Sequence, residues 1–454
     1  MMRKCYLIKG ILLIALVQVG LQAPPAAARP WQQQEAKPTY TIPEYNAFQA
    51  ARAETNPQNR VKLLDDFVSK FPNSTLMIYV DQLYLSTYNE LKDYPKVIET
   101  ADKIIGMGDK VDAAARLQAL QTRVQAFLST FNPKDPNAHD QLTKERDAAR
   151  QGADLLTKYP KPANATVTDA QFADQKKPGL AFFYASAGFA DLQLKDFPAA
   201  VDDFKAALTN NPSDAVSYYR LGLAYLAMNP PQSIDGFWAL ARAVNLKVPD
   251  SDKIKDYLRK AILAYEQPGC DSSVDAQLNE LLTLAGTTGD RPATYTIPSA
   301  TDLQKIAQGS TILTVITDLS AGGDKAKMTW LAICGAQFPG VVGKIIEAKQ
   351  GDGFVDFMVF TGASEDEVDK ATTANMDVKV WIAPPPAGTP GAAQDTPQPD
   401  VVRLQKDDGI KFSGAIVSYD PSPFLLHWDQ VKVDPAAIPE KSETGKHHKV
   451  PAKQ

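Results

Sequence analysis

The sequence predicts an α+β multidomain chain: a right-handed α-α superhelix of paired helices, followed by a small β-barrel. Three observations predict it. Small and aromatic residues recur at the spacing of a helix-pair repeat of about 34 residues. A Gly/Pro/Thr stretch at 287–298 ends that pattern. After it, five short runs alternate apolar and polar residues with the period of two that strands require.

The repeat is clearest from Ala181. Counting it as place 1, Tyr184 falls at place 4, Gly188 at 8, Ala200 at 20, Phe204 at 24, Ala207 at 27 and Pro212 at 32. Two antiparallel helices need small residues where they approach, an aromatic to fill the gap and a proline to stop the second helix. The next unit starts near Ala215, with Tyr218, Leu221, Gly222 and Tyr225 at places 4, 7, 8 and 11; its register then slips by two residues at 229–233. Leu91-Lys92-Asp93-Tyr94-Pro95 returns as Leu194-Lys195-Asp196-Phe197-Pro198, an offset of 103 residues or about three repeats. Earlier units are more degenerate, keeping only Phe71-Pro72 and Tyr159-Pro160. On these residues the chain resembles the tetratricopeptide repeat (TPR) family over 43–286. Members of that family mostly bind other proteins.

Helices are expected at 43–54, 58–71, 75–91, 95–106, 111–131, 138–158, 178–193, 198–210, 214–227, 232–246, 250–266 and 273–285. That makes six pairs, with a long loop at 159–178 that carries Pro160, Pro162 and Pro178. One pair cannot bury its apolar stripe, but stacked pairs share a continuous core and leave a concave face. Residues 299–435 are expected to hold two or three helices and then the strands, at 341–348, 354–360, 376–383, 410–419 and 424–433. A helix-like insert falls at 364–374 and a Pro-rich loop at 384–400. The run from Asp408 to Ile416, followed by Pro423-Phe424, resembles the closing strands of OB-like barrels. Thr39-Tyr40-Thr41-Ile42-Pro43 repeats as Thr294-Tyr295-Thr296-Ile297-Pro298, which suits a shared cap ahead of a helix.

The first 28 residues have the charge, apolar core and small-residue pattern of a secretory signal peptide, with Arg3, Lys4 and Lys9 ahead of an apolar run and Ala26-Ala27-Ala28 behind it. The run is too short to span a bilayer, so export to a periplasm or beyond is expected, the alternative being an uncleaved N-terminal anchor. Residues 29–42 read as an extended lead-in and 436–454 as a polar tail. Removing the signal takes away three positive charges and no acids, moving the net charge from −5 to −8. An acidic chain has no general attraction for phosphates, so nucleic acid is not an expected partner. Other proteins of the cell envelope are. Cys270 and Cys334 would remain; their spacing fits no zinc pattern and buried free thiols are expected.

No catalytic constellation persuades. There is no His-Glu-x-x-His, P-loop or dinucleotide fingerprint, and Gly322-Gly323-Asp324-Lys325 lacks the upstream glycine of a phosphate loop. His427 and Asp429 would share one strand face as a base with its carboxylate, but no nucleophile elbow accompanies them. His139 reads as a helix-end residue, and His447-His448 sits in the tail. Neither an enzyme nor any cofactor or metal is expected.

Binding surfaces are the better candidates. The TPR resemblance implies a groove lined by Phe182, Ala185, Ser186, Phe189, Leu192 and Gln193 of one unit. Val216, Tyr219, Arg220, Leu223, Leu226 and Ala227 of the next complete it. This groove is apolar and aromatic with one cation, and lacks the Lys and Asn by which TPR clamps hold acidic C-terminal peptides. It suits an apolar segment or a neighbouring helix, although Phe182 and Phe189 equally suit packing inside the chain. On the barrel, Lys344, Lys379, Trp381, Lys411 and Tyr419 would form an outward basic and aromatic face for a sugar polymer or single-stranded nucleic acid.

Overall fold

The computed structural model describes residues 39–266, 271–386 and 396–440. The signal peptide, most of the lead-in, Cys270, His447, His448 and the tail from 441 lie outside them, as does most of the Pro-rich loop. The described chain packs as two compact units. The first comprises residues up to Ile254 together with Ala285–Gly289; the second comprises Lys255–Leu284 and the residues from Asp290 onward.

The first unit is a TPR-like array of helix pairs. Its helices are α1 (Ile42–Ala53), α2 (Pro57–Lys70), α3 (Met77–Leu91), α4 (Tyr94–Gly106), α5 (Ala113–Thr130), α6 (Ala138–Lys158), α7 (Asp169–Leu194), α8 (Phe197–Asn210), α9 (Ala215–Ala227) and α10 (Ser233–Asn245). Each packs on the next, and α3, α5, α7 and α9 also touch one another in series. That second set of contacts lines up the first helices of successive pairs along one face.

Local chemistry explains the turns. In both copies of the repeated pentapeptide the lysine ends one helix in the left-handed region, with φ 57° at Lys92 and 66° at Lys195. The aspartate then caps the next helix and the proline sits in its first turn. Five residues thus complete a stop and a start. Helix α7 departs from the expected start at 178. It begins nine residues earlier because Thr168 and Gln171 form a capping box. Pro178 lies inside this helix, and Lys176 Nζ ties the first turns to the Thr157 and Tyr159 carbonyls at 2.8 and 3.2 Å.

The repeat's small residues sit where helices meet. A Cβ on Gly188 would come within 3.0 Å of the Phe204 ring, and one on Gly222 within 2.7 Å of Leu240 and 3.0 Å of the Gly236 carbonyl. Ala200, Phe204 and Ala207 are fully buried.

The second unit carries α11 (Ser251–Glu266) from Lys255 onward, α12 (Asp271–Thr287) as far as Leu284, α13 (Ala300–Gly309), α14 (Ile312–Ala321) and α15 (Gly323–Ile333). Then come β1 (Gln337–Gln350), β2 (Phe354–Phe360), α16 (Glu365–Lys370), β3 (Met376–Trp381), β4 (Gly409–Pro421) and β5 (Phe424–Val433). The strands close into a barrel in the order β1-β2-β3-β5-β4, with β3 and β5 parallel and the other pairs antiparallel. Met376, Val378 and Val380 point inward while Asp377, Lys379 and Trp381 point outward. Phe357, Phe412, Ile410 and Trp428 fill the interior, and Leu303, Val315 and Leu331 of α13–α15 join the same core.

Two expectations are corrected here. Cys334, at the end of α15, is disulfide-bonded rather than a free thiol. A bond of this kind depends on closeness in space, which spacing along the chain does not reveal. The repeated Thr-Tyr-Thr-Ile-Pro is a helix cap only at its first copy, where Thr41 caps α1 with Pro43 in the first turn. At the second copy Ser299 is the cap of α13, and Ile297 is buried ahead of it.

Candidate functional site

Helices α7 and α9 bring part of the expected groove together. The Arg220 guanidinium lies 4.7 Å from the centre of the Phe189 ring, and Phe131, at the end of α5, meets Phe189 edge-on at 5.8 Å. Burial presses the Arg220 pKa below its ordinary value, against the opposing pull of Asp214 and Tyr219. Arginine remains charged in spite of such a shift. Among the described residues Arg220 makes no ion pair; its one close contact of this kind is the ring of Phe189. A desolvated cation stacked on an aromatic is a strong contact point for an incoming group.

Other groove positions are taken up inside the unit. Phe182 packs on Phe183 at 5.4 Å and on the α5–α7 core. Ser186 donates to the Phe182 carbonyl at 2.8 Å, Leu192 packs on the Phe204 cluster and Leu226 fills the space above Gly236. Tyr219 and Leu223 are half-buried on α9, beside Arg220 in sequence, and Ala185, Gln193 and Val216 are half-buried too, while Ala227 is exposed. Sequence reasoning missed Phe131, because its unit is too decayed for the repeat count to reach it.

It also missed two ionic joints that fasten consecutive helices. Arg123 of α5 bonds Asp102 of α4 at 2.6 Å and Glu145 of α6 at 2.7 Å. Arg150 of α6 bonds Asp191 of α7 at 2.6 Å and Asp203 of α8 at 2.9 Å. Burial pushes the Asp191 carboxyl up to about 7, and its hydrogen bond with Asp203 adds to the rise while Arg150 opposes it.

The barrel does not gather its five residues on one face. Lys344 and Lys411 lie on the neighbouring strands β1 and β4, and both are engaged. Lys344 donates to the Asp369 carbonyl at 2.9 Å, and Lys411 pairs with Asp434 at 3.1 Å. On β3, Lys379 sits over the Phe354 ring at 4.6 Å and Trp381 meets that ring edge-on at 5.5 Å. Tyr419 packs on Trp330 at 5.1 Å. The reason is topological: closure inserts β5 between β3 and β4, and β2 between β1 and β3.

His427 keeps different company from that expected. Its Nδ1 is 3.1 Å from Asp377 on β3 and its Nε2 is 3.0 Å from Asp420 on β4, while Asp429 accepts from the Gln430 amide. Both ring nitrogens are occupied, so the imidazole joins the two strands that flank β5 rather than presenting a free base. Burial works against the charge, but Asp420 and Asp377 outweigh it and the pKa is raised. A histidine raised in the fold contributes stability that is complete below about 6.5 and is lost as pH rises through its folded value. Thermal melts between pH 5.5 and 8.5 are expected to show the barrel unit losing about 2–4 °C across that titration. His427→Gln is expected to remove this part of the slope, and an unchanged slope in that variant would refute the assignment.

Among the described residues no helix is long and apolar enough to cross a membrane. No protein-family model matches the sequence, and no curated protein matches it. Among solved structures the chain is similar to a thermophilic TPR protein of Thermus thermophilus, at 14% identity and a TM-score of 0.24 over 48% of this chain and 99% of that one. It is similar to the C-terminal part of a TPR repeat-containing protein from Cytophaga hutchinsonii, at 16% identity and a TM-score of 0.25 over 53% and 92%. The TPR2AB domain of yeast Sti1, solved in complex with pHSP90, follows at 15% identity and a TM-score of 0.16 over 54% and 96%. All three are TPR proteins; the description of the helical unit as a TPR-like array stands on its own caps, glycine contacts and helix order.

Proposed function

We propose that the chain is an exported, non-enzymatic scaffold that holds other proteins of the cell envelope in its helical groove. The observation that carries this reading is the Phe131–Phe189–Arg220 stack, in which a half-buried cation has an aromatic support and no carboxylate ion-pair partner among the described residues. The residues around it are apolar, so the occupant is a largely apolar segment with one acidic group placed to meet Arg220. Export is supported by the N-terminal pattern and by the disulfide at Cys334, since such bonds belong to oxidising compartments. A reading centred on the barrel, with envelope polysaccharide or oligonucleotide as ligand, has less behind it because its five residues are dispersed.

The test is in-cell crosslinking of the tagged protein, with the mass of the captured chain reporting removal of residues 1–28. Arg220→Ala is expected to reduce capture of the main partner about tenfold with an unchanged circular dichroism spectrum. Undiminished capture by that variant, or capture lost only on Trp381→Ala, would replace this reading with the barrel-centred one.

A further inference from the structure

Strand β1 is longer than its neighbours can cover. β4 pairs with it from Gln337 to Lys344. Asp408 and Asp407 continue that side at Ile345 through backbone bonds of 2.9 and 2.8 Å. On the opposite side β2 pairs from Lys344 to Gln350. From Glu347 to Gln350, therefore, the β4 side of β1 has no strand among the described residues.

The hairpin fixes which backbone groups face that open side. The Gly351 amide donates to the Phe354 carbonyl at 2.9 Å, so Gly351 faces β2. In an antiparallel ladder every second residue does the same, which assigns Lys349 and Glu347, opposite Asp356 and Met358, to β2. Ala348 and Gln350 then turn their N–H and C=O groups outward. Both residues line a cleft of about 340 Å³ whose far wall is Val402, Leu404, Gln405 and Lys406. Val402 is 49% exposed, one of few large apolar side chains in that condition.

We infer that this open edge takes up a short extended segment of another protein as an added strand. An unpaired ladder offers main-chain donors and acceptors at every second residue, a spacing of about 6.8 Å, and an extended polypeptide is the ligand that repeats at that interval. Strand alternation places one of its side chains over Val402 and Leu404, so that residue is apolar. Charge sets its neighbour. Glu347 is paired with Lys349 at 3.2 Å, whereas Lys406 is exposed and makes no ion pair among the described residues, so an acidic residue beside the apolar one is favoured. This site is separate from the helical groove and does not depend on it.

Randomised hexapeptides displayed on phage and selected on the full chain test the inference. The expected consensus has an apolar residue with an acidic neighbour. Binding of the synthetic consensus peptide should fall about tenfold in Ala348→Pro, which removes an outward N–H without taking a bond from β2. Val402→Lys should lower it by as much, and Lys406→Glu should reverse the preference for acid. Amide hydrogen exchange reads the same site directly: the Ala348 and Gln350 amides should slow when the peptide is added. No consensus, or peptides whose binding survives both Ala348→Pro and Val402→Lys, would overturn it. So would a peptide of residues 441–454 that protects the same amides equally well, since the occupant would then be the chain's own tail.

Discussion

Phe204→Ala is expected to cost the helical unit about 3–5 kcal/mol. The ring is fully buried and lies between α8 and α7, against Gly188 on one side and among Ala200, Leu221, Tyr225 and Ala224 on the other. Its neighbours cannot close the space left behind. Gly188 and Ala200 have no side-chain length to give, and the helices that carry them are held by capped turns at Lys195 and Asp196. The deletion therefore loses both transfer free energy and the contacts of a persistent cavity. In a stacked array each pair depends on its neighbours, so the loss should appear first as a separate early transition at α7–α9. Urea denaturation followed by circular dichroism measures it; a cost below about 1 kcal/mol would mean the ring is not the keystone of this pair.

Arg123→Met is expected to be almost as damaging, for an electrostatic reason. Glu145 is fully buried, and its Oε1 has no hydrogen-bond partner among the described residues. Arg123 is its counter-charge and reaches on to Asp102. Removing one member of a buried pair strands the other, a change that costs about 3–5 kcal/mol. The effect should depend on pH. Burial pushes the Glu145 carboxyl up to about 8, with Arg123 opposing the rise. For an acid raised in this way, stability is present below its unfolded pKa near 4.5 and is lost as pH climbs through the folded value. Without Arg123 the folded value rises further, so the variant should be close to tolerable at pH 5 and most damaged at pH 9. The double variant Arg123→Met, Glu145→Leu should recover most of the loss. A double variant as unstable as the single one would show that Arg123 matters through its packing instead.

The helical unit was largely legible because its information is local. Proline in first turns, aspartate caps and the Gly–Ala–Phe spacing all act within one helix pair, and all can be counted along a chain. The start of α7 was lost to a rule of thumb: three prolines near 160–178 read as a loop, while Thr168 and Gln171 already spelled a cap. The barrel's strands were equally visible from their alternation, but their order was not. The β3–β5 pairing joins Asp377 to His427 across 50 residues, and no periodicity reports it. The same blindness assembled five barrel residues into one face. It also paired His427 with Asp429, its neighbour in sequence, instead of Asp377 and Asp420, its neighbours in space. Arg220 was found through family resemblance, yet its support by Phe189 and Phe131 is a product of packing three successive pairs.

The five-residue joint at Leu91–Pro95 and Leu194–Pro198 makes the array divisible. Each copy contains a whole ending and a whole beginning, so a chain cut at one copy and rejoined at the other keeps every cap it needs. The residues between them form an insertable block, and crossover between the two copies would lengthen or shorten the array by that block without breaking a helix. At the level of the protein, an array longer or shorter by that block would keep its helix ends intact, because each joint carries its own stop and start.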